Sequence, residues 1–319
     1  MNFFTKISLS KQRNTIDYTS RMLLLGSCFA ENIGGKCSYF KFRTLQNPFG
    51  ILFHAIAIEN LMARALLDNK YEEQDVFFHN GNWHCYDAHS SLSSGSKEQL
   101  LNRLNAGLSQ LRNYMRSATH ICVTLGTAWV YRHKDSERVV ANCHKVPQTK
   151  FQKELLKVEQ LQESIGRIIQ MVHDVQPSVQ VIFTVSPVRH LKDGVVENQQ
   201  SKSHLISAVH QLLQKDKISY FPSYEIMMDE LRDYRFYTKD MIHPNDIAID
   251  YIWERFQESW IADGILGDMK KVDDIQRGLG HKPFHPEGEA HQNFLTSLQG
   301  KIAYIRQKYP FMDFNSTKT

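Results

Sequence analysis

Five short apolar runs punctuate the chain, at residues 22–25, 42–45, 121–125, 179–185 and 218–221. The last three are continuous rather than alternating, the pattern of strands covered on both faces of a parallel sheet. Between them lie helical patterns. Residues 54–67 are apolar and rich in alanine, and 97–115 carry Leu100, Leu101, Leu104, Leu108 and Leu111 at helical spacing. Residues 153–175 and 199–213 repeat that spacing. Strand and helix in alternation predict an open parallel sheet with helices on both sides.

Two segments break the rhythm. Residues 74–87 read as a hairpin around Asn80-Gly81, a favoured two-residue turn. Residues 128–141 read as a second hairpin turning at 134–137. Both follow elements of the main sheet and are expected as insertions near its carboxyl edge. Beyond residue 265 the chain is polar and helical, notably at 287–308, with no new strand. The expected division is an α/β domain over 1–265 and a C-terminal helical appendage over 266–319.

Composition narrows the class. With 42% hydrophobic and 23% charged residues the chain is globular rather than disordered. Its net charge of +4 is spread along the sequence, which argues against a nucleic-acid-binding stripe. No apolar run reaches the roughly 18 residues of a membrane span, and residues 1–20 lack the apolar core of a signal peptide. Cys28, Cys37, Cys85, Cys122 and Cys143 are odd in number and irregularly spaced, as in a cytoplasmic protein with reduced thiols.

Candidate chemistry begins at Gly26-Ser27-Cys28, where the first strand gives way to a helix. Ligands of open α/β sheets sit beyond the carboxyl ends of the strands. Glycine permits a tight reversal there, and the helix entry favours negative charge. A cysteine so placed tends toward thiolate and a stronger nucleophile. Its own N–H can help hold an oxyanion. The same stretch also suits a plain small-residue corner, and Ser27 remains an alternative nucleophile.

The second element is Asp240-Met241-Ile242-His243-Pro244-Asn245, with Pro244 suited to the first turn of a helix over 247–260. Asp240 can turn back to accept a hydrogen bond from His243, and an imidazole so oriented can act as a general base. A capping aspartate beside a surface histidine would show the same spacing.

Together these two elements resemble the SGNH, or GDSL-like, hydrolase superfamily. Residues 26–30 (GSCFA), 47–60, 124–147, 183–202 and 220–237 more closely resemble the GSCFA family. The resemblance implies a flavodoxin-like three-layer α/β/α sandwich, with Cys28 in the place of the superfamily's serine nucleophile and Ser27 in that of its aspartate. It also exposes a departure. Where the superfamily carries Gly-x-Asn-Asp, this chain has Gly126-Thr127-Ala128-Trp129, so the asparagine that donates to the oxyanion is missing. Gly50 and Cys28, through their backbone N–H groups, and Asn47 or Thr127, through their side chains, are the candidate replacements.

Fifteen histidines raise the question of a metal, but no Cys-x-x-Cys or His-Glu-x-x-His spacing is present, and no metal or other cofactor is expected. His84, His89 and His144 are instead expected at the mouth of the pocket, with Trp129 in its wall. Arg189 is expected to meet an anionic group of a substrate or to pair with Glu197, and His190 to add a second proton donor. The expected activity is an ester hydrolase or acyltransferase acting on a small-molecule or carbohydrate ester through Cys28, His243 and Asp240. The alternative is a module of the same fold that binds such ligands without turnover.

Overall fold

The computed structural model describes residues 5–213, 217–285 and 287–314. In chain order the elements are β1 (Arg21–Gly26), α1 (Cys28–Tyr39), β2 (Arg43–Gln46), α2 (Ala55–Leu66), β3 (Val76–His79), β4 (Asn82–Cys85) and α3 (Lys97–Ser117). There follow β5 (His120–Leu125), β6 (Trp129–His133), β7 (Val139–Val140), β8 (Phe151–Leu155), α4 (Val158–Val175), β9 (Gln180–Val185), α5 (Val195–His210) and β10 (Ile218–Tyr220). The short α6 (Ser223–Glu225) runs into a π-helical turn, and α7 (Asp246–Trp260), α8 (Leu266–Gly280) and α9 (Glu289–Lys308) complete the chain.

The five expected strands form one parallel sheet in the order β10-β9-β5-β1-β2. The chain starts in the sheet interior, winds outward to β2, then returns past β1 to build β5, β9 and β10. This is the flavodoxin-like arrangement, and its reversal point lies between β1 and β5, where ligands of such sheets bind. β1 shows why the run is apolar throughout. Leu23 and Leu25 pack with α2, α3, α4 and α5, whereas Met22 and Leu24 pack with α1, α7 and α8. Both faces are covered, so alternation disappears.

The first hairpin forms as expected, with Asn80 and Gly81 both at positive φ and Phe77 opposite His84. The second insertion is larger than expected. β6 pairs with β7 on one side and with β8 on the other, giving a three-stranded antiparallel sheet. Residues 153–155, expected as the start of a helix, belong to β8, and the helix begins only at Val158. Glu154 accepts from Arg132 across the pair, a long-range contact that local spacing cannot reveal. Among its described residues the C-terminal segment contributes no strand but does contribute α8, an additional helix. Asp268 on α8 accepts from Lys308 and from the Tyr309 hydroxyl, which fastens the end of α9 to it. Among the described residues, no helix is long and apolar enough to cross a membrane.

Candidate active site

Gly26 closes β1 with φ +130°, and Ser27 N–H donates to the carbonyl of Thr124 on the neighbouring strand. Ser27 then caps α1, its Oγ accepting from Phe29 N–H. Its side chain is fully buried, so it shapes the corner rather than opening onto solvent. Cys28, the first helical residue, is half-buried and lines a cavity of about 760 Å³. Trp129, His144, Arg189, His190 and His243 line the same cavity.

The thiol of Cys28 feels opposing influences. Burial, the largest, and Glu31 push its pKa up, whereas Lys202 and the backbone N–H groups of Cys28 and Phe29 pull it down. The balance is upward, contrary to the expectation from helix position alone. A helix terminus favours the anion, but removal from water disfavours it more.

His243 sits in the loop before α7. Its Nδ1 is 2.7 Å from Asp240 Oδ2, while Asp240 Oδ1 accepts from the backbone N–H of Ile242 and His243 and from the Thr238 hydroxyl. These donors, Thr238 foremost, hold the Asp240 carboxyl well below the usual range. The hydrogen bond places the imidazole proton on Nδ1 and leaves Nε2 as an acceptor. Pro244 lies outside the helix rather than in its first turn, because Asn245 takes the capping position and accepts from Ala248 N–H. Arg189 braces this loop. Its backbone N–H donates to Ile242 O and its guanidinium to Met241 O, so it does not pair with Glu197.

His190 is deeper. Its backbone N–H donates to Asn198, and its Nε2 is buried without a partner. Burial, then the charges of Lys202 and His243, push its pKa down to about 3, so the ring is neutral.

Several expected donors are occupied. Gly50 N–H donates to Asn47 O within a tight turn, and Gly50 is not part of the cavity lining. Thr127 does line it, but its Oγ1 accepts from Trp129 N–H and lies 3.1 Å from Ser201 Oγ. Asn47 accepts from Gly26 N–H through Oδ1 and keeps a buried, unpartnered Nδ2 behind the corner. Of the candidate donors, Cys28 and Thr127 are the two that line the cavity. His84 is bonded to Ser93 and to His79 O, and His89 caps the turn at Ser90–Leu92; neither lines the cavity. His144 does, with Nε2 donating to Cys85 O and its pKa pushed by burial down to about 4. Trp129 forms part of the wall, with the Lys153 ammonium 4.5 Å above its ring. Among the described residues, no three His, Cys, Asp or Glu side chains converge as metal ligands would.

Two participants escaped the reading of the sequence. His54 caps α2 through Nδ1 and donates from Nε2 to Val140 O, joining the second insertion to the cavity wall. Lys202 is fully buried beneath the site. The signal for it was present: Asn198, Ser201 and Lys202 fall at i, i+3 and i+4 on the stripe that continues as Leu205, Ala208 and Val209. Three polar residues on the buried face of a helix mark a functional or bonded interior.

The model of the GSCFA family matches residues 21–256, and that of the GSCFA domain protein, C-terminal domain, matches residues 272–319. No curated protein matches the chain.

Proposed function

Because the chain belongs to the GSCFA family, and because Cys28 and an Asp240-oriented His243 open onto one cavity, we propose that it is an acyl-ester hydrolase or acyltransferase with Cys28 as nucleophile. The second of these observations carries the reading, and the SGNH-like placement of the family is part of the proposal. His243 Nε2 takes the S–H proton as the Cys28 sulfur attacks the ester carbonyl, and the helix-entry N–H of Cys28 holds the oxyanion that forms. The intermediate collapses as His243 Nε2–H protonates the departing alcohol. A thioester remains on Cys28. Water, or the hydroxyl of an acceptor, then gives its proton to His243 and releases the acyl group. Asp240 keeps the imidazole in the required tautomer and stabilises its charged form. Trp129 offers a flat apolar face suited to a sugar or acyl substituent. The five free thiols suit a reducing compartment, and the reading places the enzyme in the cytoplasm.

A panel of p-nitrophenyl esters and acetylated sugars tests this. Turnover should fall by about 10²-fold or more in Cys28→Ala and in His243→Gln, and an acyl adduct on Cys28 should be trapped by mass spectrometry. Activity retained in Cys28→Ala but abolished in Ser27→Ala would move the nucleophile to Ser27. A second reading, ligand binding without turnover, is favoured by the occupied N–H of Gly50 and the upward shift of Cys28. It predicts saturable binding of an ester with no product.

A further inference from the structure

A second cavity, of about 260 Å³, lies between the start of α5 and the segment that follows β10. Arg189 is the residue common to its lining and to that of the Cys28 cavity. Tyr224, Met227, Met228, Tyr234 and Tyr237 form an apolar wall. The chain reaches this arrangement through a π-helical turn over Ile226–Glu230, closed by Leu231 N–H on Ile226 O. The extra residue in such a turn re-aims the side chains around it, and turns of this kind recur at functional sites.

The charges around this cavity leave one cation over. Arg232 pairs with Asp229, and Asp233 with Arg235. Burial pushes the Tyr224 and Tyr237 hydroxyls up, so neither is an anion at neutral pH. The Arg189 guanidinium carbon stands 5.8 Å from the Tyr234 ring centre and 5.6 Å from that of Tyr237, within cation–π range. Its Nη1 donates to Met241 O at 3.1 Å. The N–H groups of Nε and Nη2 have no acceptor among the described residues. That edge of a guanidinium carries two parallel N–H bonds and grips a carboxylate with both.

We propose that this cavity is a second ligand compartment, for an aromatic carboxylate. The ring lies among the tyrosines and the two methionines, whose thioethers favour aromatic neighbours. The carboxylate accepts from Nε and Nη2 of Arg189. Apolar walls around the pair exclude water and so strengthen it. Arg189 also bonds the loop of His243, through Ile242 O and Met241 O, so the anion is held at the junction of the two cavities. The compartment needs no covalent step, and it does not depend on the reading of Cys28 as a nucleophile.

Naphthoate is the probe, titrated into protein labelled with carbon-13 at the methionine methyl groups and followed by NMR, which requires no turnover. The Met227 and Met228 signals, assigned from Met227→Leu and Met228→Leu, should shift together and saturate. Naphthamide, of the same shape without the charge, should bind about tenfold or more weakly, as should naphthoate to Arg189→Gln. Tyr234→Ala, a change at an exposed ring, should weaken naphthoate about threefold or more. Equal affinity for the amide overturns the proposal. So do methionine signals that stay still while the Trp129 indole signal, in the Cys28 cavity, moves. Saturable binding in a protein that turns over no ester keeps this compartment and removes only the reaction assigned to Cys28; ester turnover in a protein that leaves naphthoate unbound does the reverse. Should Arg189→Gln fail to fold, the comparison of acid and amide on the wild type, with Tyr234→Ala, decides.

Discussion

Gly26→Ala is the substitution whose cost the structure specifies most directly. Gly26 has φ +130°, a conformation that residues with a Cβ rarely adopt. A Cβ built there stands 2.1 Å from Thr124 O and 2.8 Å from Thr124 C. These are backbone atoms of the adjacent central strand, and Thr124 O already accepts from Ser27 N–H at 3.0 Å. The methyl group therefore strains the residue and wedges the β1–β5 seam. Backbone strain of about 1–3 kcal/mol and overpacking of about 1–3 kcal/mol together give about 2–6 kcal/mol. At about 2–4 °C per kcal/mol for a domain of this size class, Tm should fall by about 4–24 °C. Thermal unfolding by circular dichroism measures it, with Gly35→Ala as the control. Gly35 lies within α1 with open space at its Cβ, so alanine there should leave Tm unchanged or raise it. A Gly26→Ala protein within about 1 °C of wild type, or a Gly35→Ala loss of equal size, would refute the reasoning that this corner is fitted to glycine.

Two further outcomes are expected. Iodoacetamide at neutral pH should label half-buried Cys28 ahead of Cys37 and Cys122, both buried, with burial pushing Cys122 up to about 12; peptide mapping that finds the three thiols equally fast would contradict the placement of Cys28 on the cavity. Stability should decline in mild acid. Burial pushes His54 and His144 down to about 4 and His190 to about 3. Between these values and the ordinary 6.5 the unfolded chain binds more protons, so this stability is complete above about pH 6.5 and is lost toward pH 3–4. His54 alone accounts for about 3 kcal/mol, and chemical denaturation of His54→Gln should show a flatter slope across that window; an equally steep slope would count against it.

The sheet was legible in local pattern because a strand covered on both faces must be apolar along its length. Met22–Leu25 within β1, and the cores of β5 and β9, satisfy that condition without reference to the rest of the chain. The Asn80-Gly81 turn was legible for a similar reason, since few residue pairs accept two successive positive φ values. Cys28 and Asp240-x-x-His243 stood out by residue type and spacing, and the Asp240–His243 bond needs only three residues of separation.

What sequence could not decide is whatever depends on distant segments competing for the same group. β8 becomes a strand because β6 offers it partners, although its residues suit a helix. Gly50 N–H is spent on Asn47, and His84 and His89 are spent on Ser93 and Ser91, so residue types with the right donors lie outside the cavity. The ionisation of Cys28 follows burial and the charges of Glu31 and Lys202, the latter 174 positions away by numbering (202 − 28). Local spacing fixes which groups exist and where the chain turns. Only packing determines which of them keep a free lone pair or proton, because desolvation and hydrogen-bond saturation are properties of the assembled interior.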